Sequence, residues 1–219
     1  PFDFTTTTHE WIAIDVGTPA HDTLPLEMTV DSIRITSTLD APPPDTKLYQ
    51  GAKFTGSMSP RGRIYALRPA AGSANPRLDA FAIALKRFLV PLPRKVLAAG
   101  ASWADTVVEH PKVNTIDITS SSVTTYKVAG DTTVNGQHAW RIDRFTTIAQ
   151  LGKGTEAGQP LEISGSGTIT GMHFFTASGV FLGSQSTQRT DLMEKMNESE
   201  GAPIQQTLKS TVELIPSGS

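Results

Sequence analysis

The sequence contains no cysteine. This absence excludes disulfide bonds, thiolate catalysis, iron–sulfur clusters and zinc sites with cysteine ligands within these residues. No cysteine is present that could carry a lipid either. A chain of 219 residues buries enough surface on folding to be stable without covalent or metal cross-links. We therefore expect an ordinary hydrophobic core to hold the fold together.

Charge is also scarce. Only 18% of the residues are charged and the net charge is −2, whereas about 25% is usual for globular proteins. This gives no electrostatic reason to expect nucleic acid or anionic lipid as a partner. The chain is instead rich in hydroxyl groups, with 28 threonines and 18 serines. Threonine suits the solvent-facing positions of a pleated sheet, so this excess indicates a strand-rich protein.

Long hydrophobic runs are missing too. The longest apolar stretch, around Ala80 to Leu92, is interrupted by Lys86, Arg87 and Pro91. A membrane-spanning helix needs about 20 apolar residues, so no transmembrane segment is predicted. The chain begins with proline rather than methionine. Together with the low charge, this favours an exported bacterial protein, periplasmic or otherwise extracytoplasmic, over a chain that merely lost its initiator methionine.

Alternating patterns predict strands in both halves of the chain. Leu26, Met28 and Val30 alternate with polar residues, and a change of phase predicts a bulge near Ser32. Asn135-Gly136 predicts a type I′ hairpin turn.

Later strands show two further features. One face of the predicted strand from Leu161 to Gly171 carries Gly165, Gly167 and Gly171 among apolar residues, which suits a bend or a large side chain packing across that face. Regular alternation from Ile204 to Leu214 predicts the last strand, and the charged segment Thr187 to Ala202 is interpreted as an excursion between strands.

One helix is predicted, from about Pro76 to Val90. Asn75 can cap it, Pro76 occupies the favoured first position and Asp79 lies in the first turn. Apolar residues recur at helical spacing, so one face must be buried against a sheet.

The predicted fold is mainly β: a curved antiparallel sheet, a half-barrel or open barrel, packed on one amphipathic helix. Composition changes little along the chain, which favours a single β-rich domain over residues 1–219. A linker-like stretch around residues 70–74 leaves a subdivision into 1–70 and 75–219 open.

No constellation of residues predicts catalysis. The five histidines are scattered without metal-binding spacing, and neither a GxSxG nor a GxGxxG motif is present. Carboxylates could still be brought together by folding. The sequence therefore predicts a chain that is not an enzyme, with no catalytic, metal-binding or cofactor-binding residues and no cofactor.

The aromatic residues are more informative than the polar ones. They could line an apolar groove between helix and sheet, although ordinary core packing is the alternative. The groove residues would be Phe81, Leu85, Phe88, Trp103, Trp140 and Phe174.

The order of strands, one helix and a long meander resembles the layout of periplasmic half-barrel lipoprotein carriers and of mycobacterial lipid-binding lipoproteins. Residues 130–142, GDTTVNGQHAWRI, also resemble a hairpin found in exported bacterial β-proteins. The resemblance carries no diagnostic motif, and the missing lipidation cysteine departs from the mycobacterial lipoproteins. It implies a carrier that holds a lipid or other apolar ligand between the helix and the concave sheet.

Two functions are therefore expected from different classes. The first is a non-catalytic accessory or scaffold subunit that docks onto other protein subunits of a larger assembly. Membrane-anchored photosynthetic or respiratory complexes are examples of such an assembly. The second is the periplasmic carrier of an apolar ligand.

Overall fold

A computed structural model describes residues 6–19, 21–38, 45–72, 75–86, 89–113, 115–196 and 201–213. The chain forms two compact units, Pro1–Leu92 and Pro93–Ser219. Both are built mainly of β-strands, as predicted, and the described residues include a single helix. None of these residues belongs to a helix that is long and apolar enough to cross a membrane.

The strands of the first unit have between 6 and 14 residues, whereas the longest strand of the second unit has 20. The elements are β1 (Thr6–Val16), β2 (Leu24–Ser37), β3 (Lys53–Met58), β4 (Ile64–Pro69), α1 (Pro76–Lys86), β5 (Ser102–Glu109), β6 (Lys112–Val113), β7 (Ile116–Val134), β8 (Gln137–Glu156), β9 (Gln159–Phe175), β10 (Phe181–Met196) and β11 (Ala202–Glu213).

The first unit is a four-stranded antiparallel sheet in the order β1-β2-β3-β4, with α1 packed against β4. Alternation in β2 buries Met28 and Val30 on one face, where Phe54 of β3 is also fully buried. The helix adds Leu78 and Leu85 to this core. Its apolar stripe is thus buried against the first sheet, as a single amphipathic helix requires.

The second unit is a seven-stranded antiparallel sheet. Its order is β11-β10-β9-β8-β7-β5, and β6 pairs with β7 beside β5. Asn135 and Gly136 join β7 to β8 with φ values of 49° and 76°, so the predicted two-residue hairpin turn is confirmed. Neither sheet closes on itself. The fold is thus an open, mainly β architecture, as predicted.

The glycines of β9 lie close to the backbone of β10. A Cβ atom at Gly167 would lie 2.7 Å from the carbonyl oxygen of Arg189, and one at Gly171 would lie 2.7 Å from that of Gln185. Strands β9 and β10 therefore approach each other more closely on the glycine-bearing face than side chains would allow. This face, called the inner face, also carries the buried residues Thr146 and Ile169. We infer that the sheet curves toward it.

Three local predictions can be compared with the strands and helix. The register of β1 with β2 shifts between Trp11 and Ile12, opposite Ser32 and Val30, so the predicted bulge near Ser32 is confirmed. The helix ends at Lys86, before the predicted Val90, which is not helical. The prediction of an excursion over residues 187–202 is wrong, because β10 continues through it to Met196.

Candidate functional site

The predicted groove residues on the helix lie in the core of the first unit. Leu85 is 3% exposed. The ring of Phe81 lies 5.2 Å from that of Tyr49 and 5.8 Å from that of Phe54, measured between centroids. Side chains of the first unit therefore pack against this part of the helix. Phe88 lies outside the described residues.

The other predicted groove residues lie in the second unit. Trp103 is on the inner face, stacked on Tyr126 of the neighbouring strand at 5.2 Å. Trp140 is also on this face and pairs in register with Phe175. Phe174 points to the opposite face, because consecutive residues of a strand alternate between faces. The register thus brings Phe175, rather than Phe174, beside Trp140.

The inner face is buried but contains many polar side chains. Thr124 and Thr146 share a hydrogen bond of 2.9 Å, and Arg144 Nε donates to the Thr146 hydroxyl at 3.0 Å. His173 is only 3% exposed, and neither ring nitrogen has a hydrogen-bond partner among the described residues. Burial, and secondarily the charge of Arg144, lowers the pKa of His173 to about 3.

The opposite face of the second sheet has a different character. Along the middle of four adjacent strands, β5, β7, β8 and β9, the outward side chains are small, hydroxyl-bearing or apolar, and none is charged. We call this set the uncharged face. Its members are Ala104, Thr106, Val108, Thr119, Ser121, Val123, Thr125, Phe145, Thr147, Ala149, Leu151, Ser164, Ser166, Thr168 and Thr170.

Large apolar side chains on this face are open to solvent. Leu151 is 65% exposed, Val108 55%, Phe145 49% and Val123 48%. They belong to three neighbouring strands, with threonines and serines between them. Four strands about 4.8 Å apart, over about seven residues at 3.4 Å each, give the face an area of roughly 450 Å². Exposed apolar side chains grouped on one face often mark an interaction site, and here hydroxyl groups lie between them.

Charged residues border the uncharged face at both ends. At one end Asp143 accepts a hydrogen bond of 2.8 Å from Arg141, and Lys127 pairs with Asp143 in register. At the other end Lys153 and Glu162 form an ion pair at 2.9 Å. An open hollow of about 480 Å³, lined in part by Lys209 and Arg141, also adjoins the face near Thr170. The uncharged face is therefore a bounded patch.

In the described part of the chain, no three His, Asp or Glu side chains are placed so that they could together hold a metal ion. His138 lies 3.5 Å from Asp131, but both side chains are exposed. His110 contacts the Thr119 hydroxyl at 3.3 Å. These histidines make isolated surface contacts.

The uncharged face was not predicted from the sequence. Its signal is the absence of Asp, Glu, Lys and Arg from residues 118–126, 145–152 and 163–188. The sequence does not show that these three stretches lie side by side. That follows only from the pairing register of β7, β8 and β9, with the end of β5 next to β7. Comparisons with family models, curated proteins and solved structures find no match for this chain.

Proposed function

We propose that this chain is a non-catalytic accessory subunit of a larger extracytoplasmic protein assembly. It docks onto another protein chain through the uncharged face of its second unit. The observation that carries the proposal is the pattern of exposed apolar and hydroxyl side chains with charged residues only at the border. A membrane-anchored complex is one assembly of this kind.

The layout of the face matches that of protein interfaces. Their buried centres are depleted of charged residues and their rims are polar. The face covers roughly 450 Å², whereas each partner of a standard interface contributes about 800 Å². The charged rims, with Lys127 at one end and Lys153 at the other, supply the remaining contact area. The partner surface should accordingly be uncharged at its centre, because a buried unpaired charge is costly.

The alternative function is a carrier of a lipid or other apolar ligand, which rests on the resemblance in layout. The packing of Phe81 against Tyr49 and Phe54 weighs against a cavity at that position of the helix. The alternative makes a separate prediction. Replacing Phe81 by alanine would reduce binding of an extractable lipid while leaving the stability of the chain nearly unchanged.

Native purification from the source cells, followed by lysine-specific cross-linking and mass spectrometry, tests the docking proposal. We expect a stoichiometric protein partner. Cross-links to it should arise from Lys127 and Lys153, which lie at the two ends of the uncharged face. Lys47 and Lys53 provide an internal comparison, because both are exposed and belong to the first unit.

Two outcomes would contradict the proposal. One is a monomer that carries extractable lipid, which would favour the carrier. The other is a stable complex whose cross-links start from Lys47 and Lys53 but not from Lys127 or Lys153, since docking would then involve a different surface.

A further inference from the structure

The two sheets end in four edge strands, β1, β4, β5 and β11. An edge strand presents backbone N–H and C=O groups to any further strand, and proteins usually hinder such pairing. A bulge interrupts β1 at Trp11 and Ile12, and the helix packs against β4. Strand β5 has eight residues, two of which are Asp105 and Glu109. Among the described residues, β11 has neither a bulge nor a covering helix.

Strand β11 is also long and exposed. It has 12 residues, which extend over about 40 Å, and its register with β10 is continuous from Ala202 to Glu213. All residues from 203 to 211 are exposed. Lys209 is the only charged residue between Pro203 and Glu213. A long, exposed edge strand with so little charge is a template for pairing with another strand.

The sequence of β11 is complementary to itself in the antiparallel direction. Ile204, Leu208 and Val212 lie on one face, with Gln206 and Ser210 between them. When two copies pair about a two-fold axis at Leu208, this leucine faces its own counterpart. Ile204 then faces Val212 of the other copy, and Gln206 faces Ser210. Every apolar side chain of this face therefore has an apolar neighbour directly across the axis, where side chains interact most strongly.

The same register keeps like charges apart. Lys209 faces Thr207 of the other copy, and Glu213 faces Pro203, whereas like charges directly opposite each other would be destabilising. A register centred on Lys209 would bring the two lysines together. A shift by one residue would place the apolar side chains of the two copies on opposite faces. The register centred on Leu208 also pairs residues 203–213, almost the whole strand.

We propose that two copies of this chain associate through β11, antiparallel and centred on Leu208. The seven-stranded sheets of the two copies then form one continuous sheet. The contact is isologous, because the same strand serves both copies, and the backbone groups at the outer side of β11 pair across the axis. The uncharged face lies on β5, β7, β8 and β9 and does not include β11. The dimer therefore goes beyond the proposed docking function and stands without it.

Cysteine cross-linking tests the register directly, because the chain contains no cysteine of its own. In the proposed dimer the Cα atoms of the two residues 208 are about 5 Å apart, a separation that a disulfide can bridge. The two residues 204 are about 27 Å apart, because each lies opposite residue 212. Leu208→Cys should therefore form a cross-linked dimer on mild oxidation with copper phenanthroline, and Ile204→Cys should not. The two positions are matched, at 49% and 42% exposed.

Sedimentation velocity of the unmodified chain measures association without any substitution. Between about 1 μM and about 1 mM protein, we expect the dimer fraction to rise with concentration. Leu208→Lys should abolish the dimer, because it places two like charges directly opposite each other at the axis. Leu151→Lys is the control, because Leu151 is also exposed but lies on the uncharged face. It should leave the dimer fraction unchanged.

Three results would overturn the proposal. The first is an unmodified chain that stays monomeric over the whole concentration range. The second is cross-linking of Ile204→Cys to the same extent as Leu208→Cys, which would reflect random collision or another register. The third is an unchanged dimer fraction in Leu208→Lys, since association would then involve a different surface. Circular dichroism of each variant checks that it folds. A monomer that still co-purifies with a partner protein would refute the dimer and leave the docking function standing.

Discussion

Acid should destabilise this protein through His173, the buried histidine of β9. The ring is 3% exposed and its nitrogens are unpaired among the described residues. In the unfolded chain a histidine has a pKa of about 6.5, whereas burial in the folded chain lowers the pKa of His173 to about 3. Above about pH 6.5 the ring is neutral in both the folded and the unfolded chain. In that range it does not contribute to the pH dependence of the free energy of unfolding.

The direction and size of the effect follow from proton uptake. Between about pH 6.5 and about pH 3 the unfolded chain binds a proton at His173 and the folded chain does not. The free energy of unfolding therefore falls by about 1.4 kcal/mol for each pH unit. At about pH 5, which is about 1.5 units below the unfolded-state pKa, the loss amounts to about 2 kcal/mol.

Urea denaturation measures this loss of unfolding free energy when it is carried out near pH 7 and near pH 5. Tryptophan fluorescence reports the unfolding of the second unit through Trp103 and Trp140. The variant His173→Leu is the control, because it keeps the carboxylates and removes the ring. Between the two pH values, the free energy of unfolding of this variant should fall by about 2 kcal/mol less than that of the wild-type protein. It should also be at least as stable near pH 7, since it removes an unpaired buried polar group. Equal losses in the two proteins would refute the reasoning.

Three further substitutions test the packing and the turns by their effect on the free energy of unfolding. Gly167→Ala should cost about 1–3 kcal/mol, because its Cβ would press on the Arg189 carbonyl, whereas Ser166→Ala on the outward face should cost at most about 0.5 kcal/mol. Phe54→Ala should cost about 3–5 kcal/mol, because the ring is fully buried in the first unit. Gly136→Ala should cost about 1–2 kcal/mol, because alanine is strained at φ 76°, and a neutral result would contradict the assigned turn.

Local rules predicted those parts of the fold that depend on neighbouring residues. Asn135 and Gly136 specify their turn because both adopt positive φ. The start of the helix is set by Asn75, whose side chain accepts a hydrogen bond from the Arg77 N–H at 2.9 Å. The bulge near Ser32 followed from a change of phase in the apolar residues.

Features that depend on distant residues were predicted less well. Residues 187–196 looked like an excursion because Arg189 and Asp191 are charged, yet both lie on the exposed face of β10 while Thr190 is buried on the other. The sheet against which the helix packs could not be inferred from its apolar stripe alone. The uncharged face required the register of four strands, because no single strand shows a patch.

The claim that the uncharged face is the docking surface is tested most directly by placing one charge at its centre. Thr147 is exposed between Val123 and Thr168 of the adjacent strands, so Thr147→Lys should leave the fold intact. Thr36→Lys, at an exposed position of β2, is the matched control. The measurement is the amount of partner that co-purifies with each protein. We predict loss of the partner by Thr147→Lys alone, and retention of the partner at the wild-type level by Thr147→Lys would contradict the account.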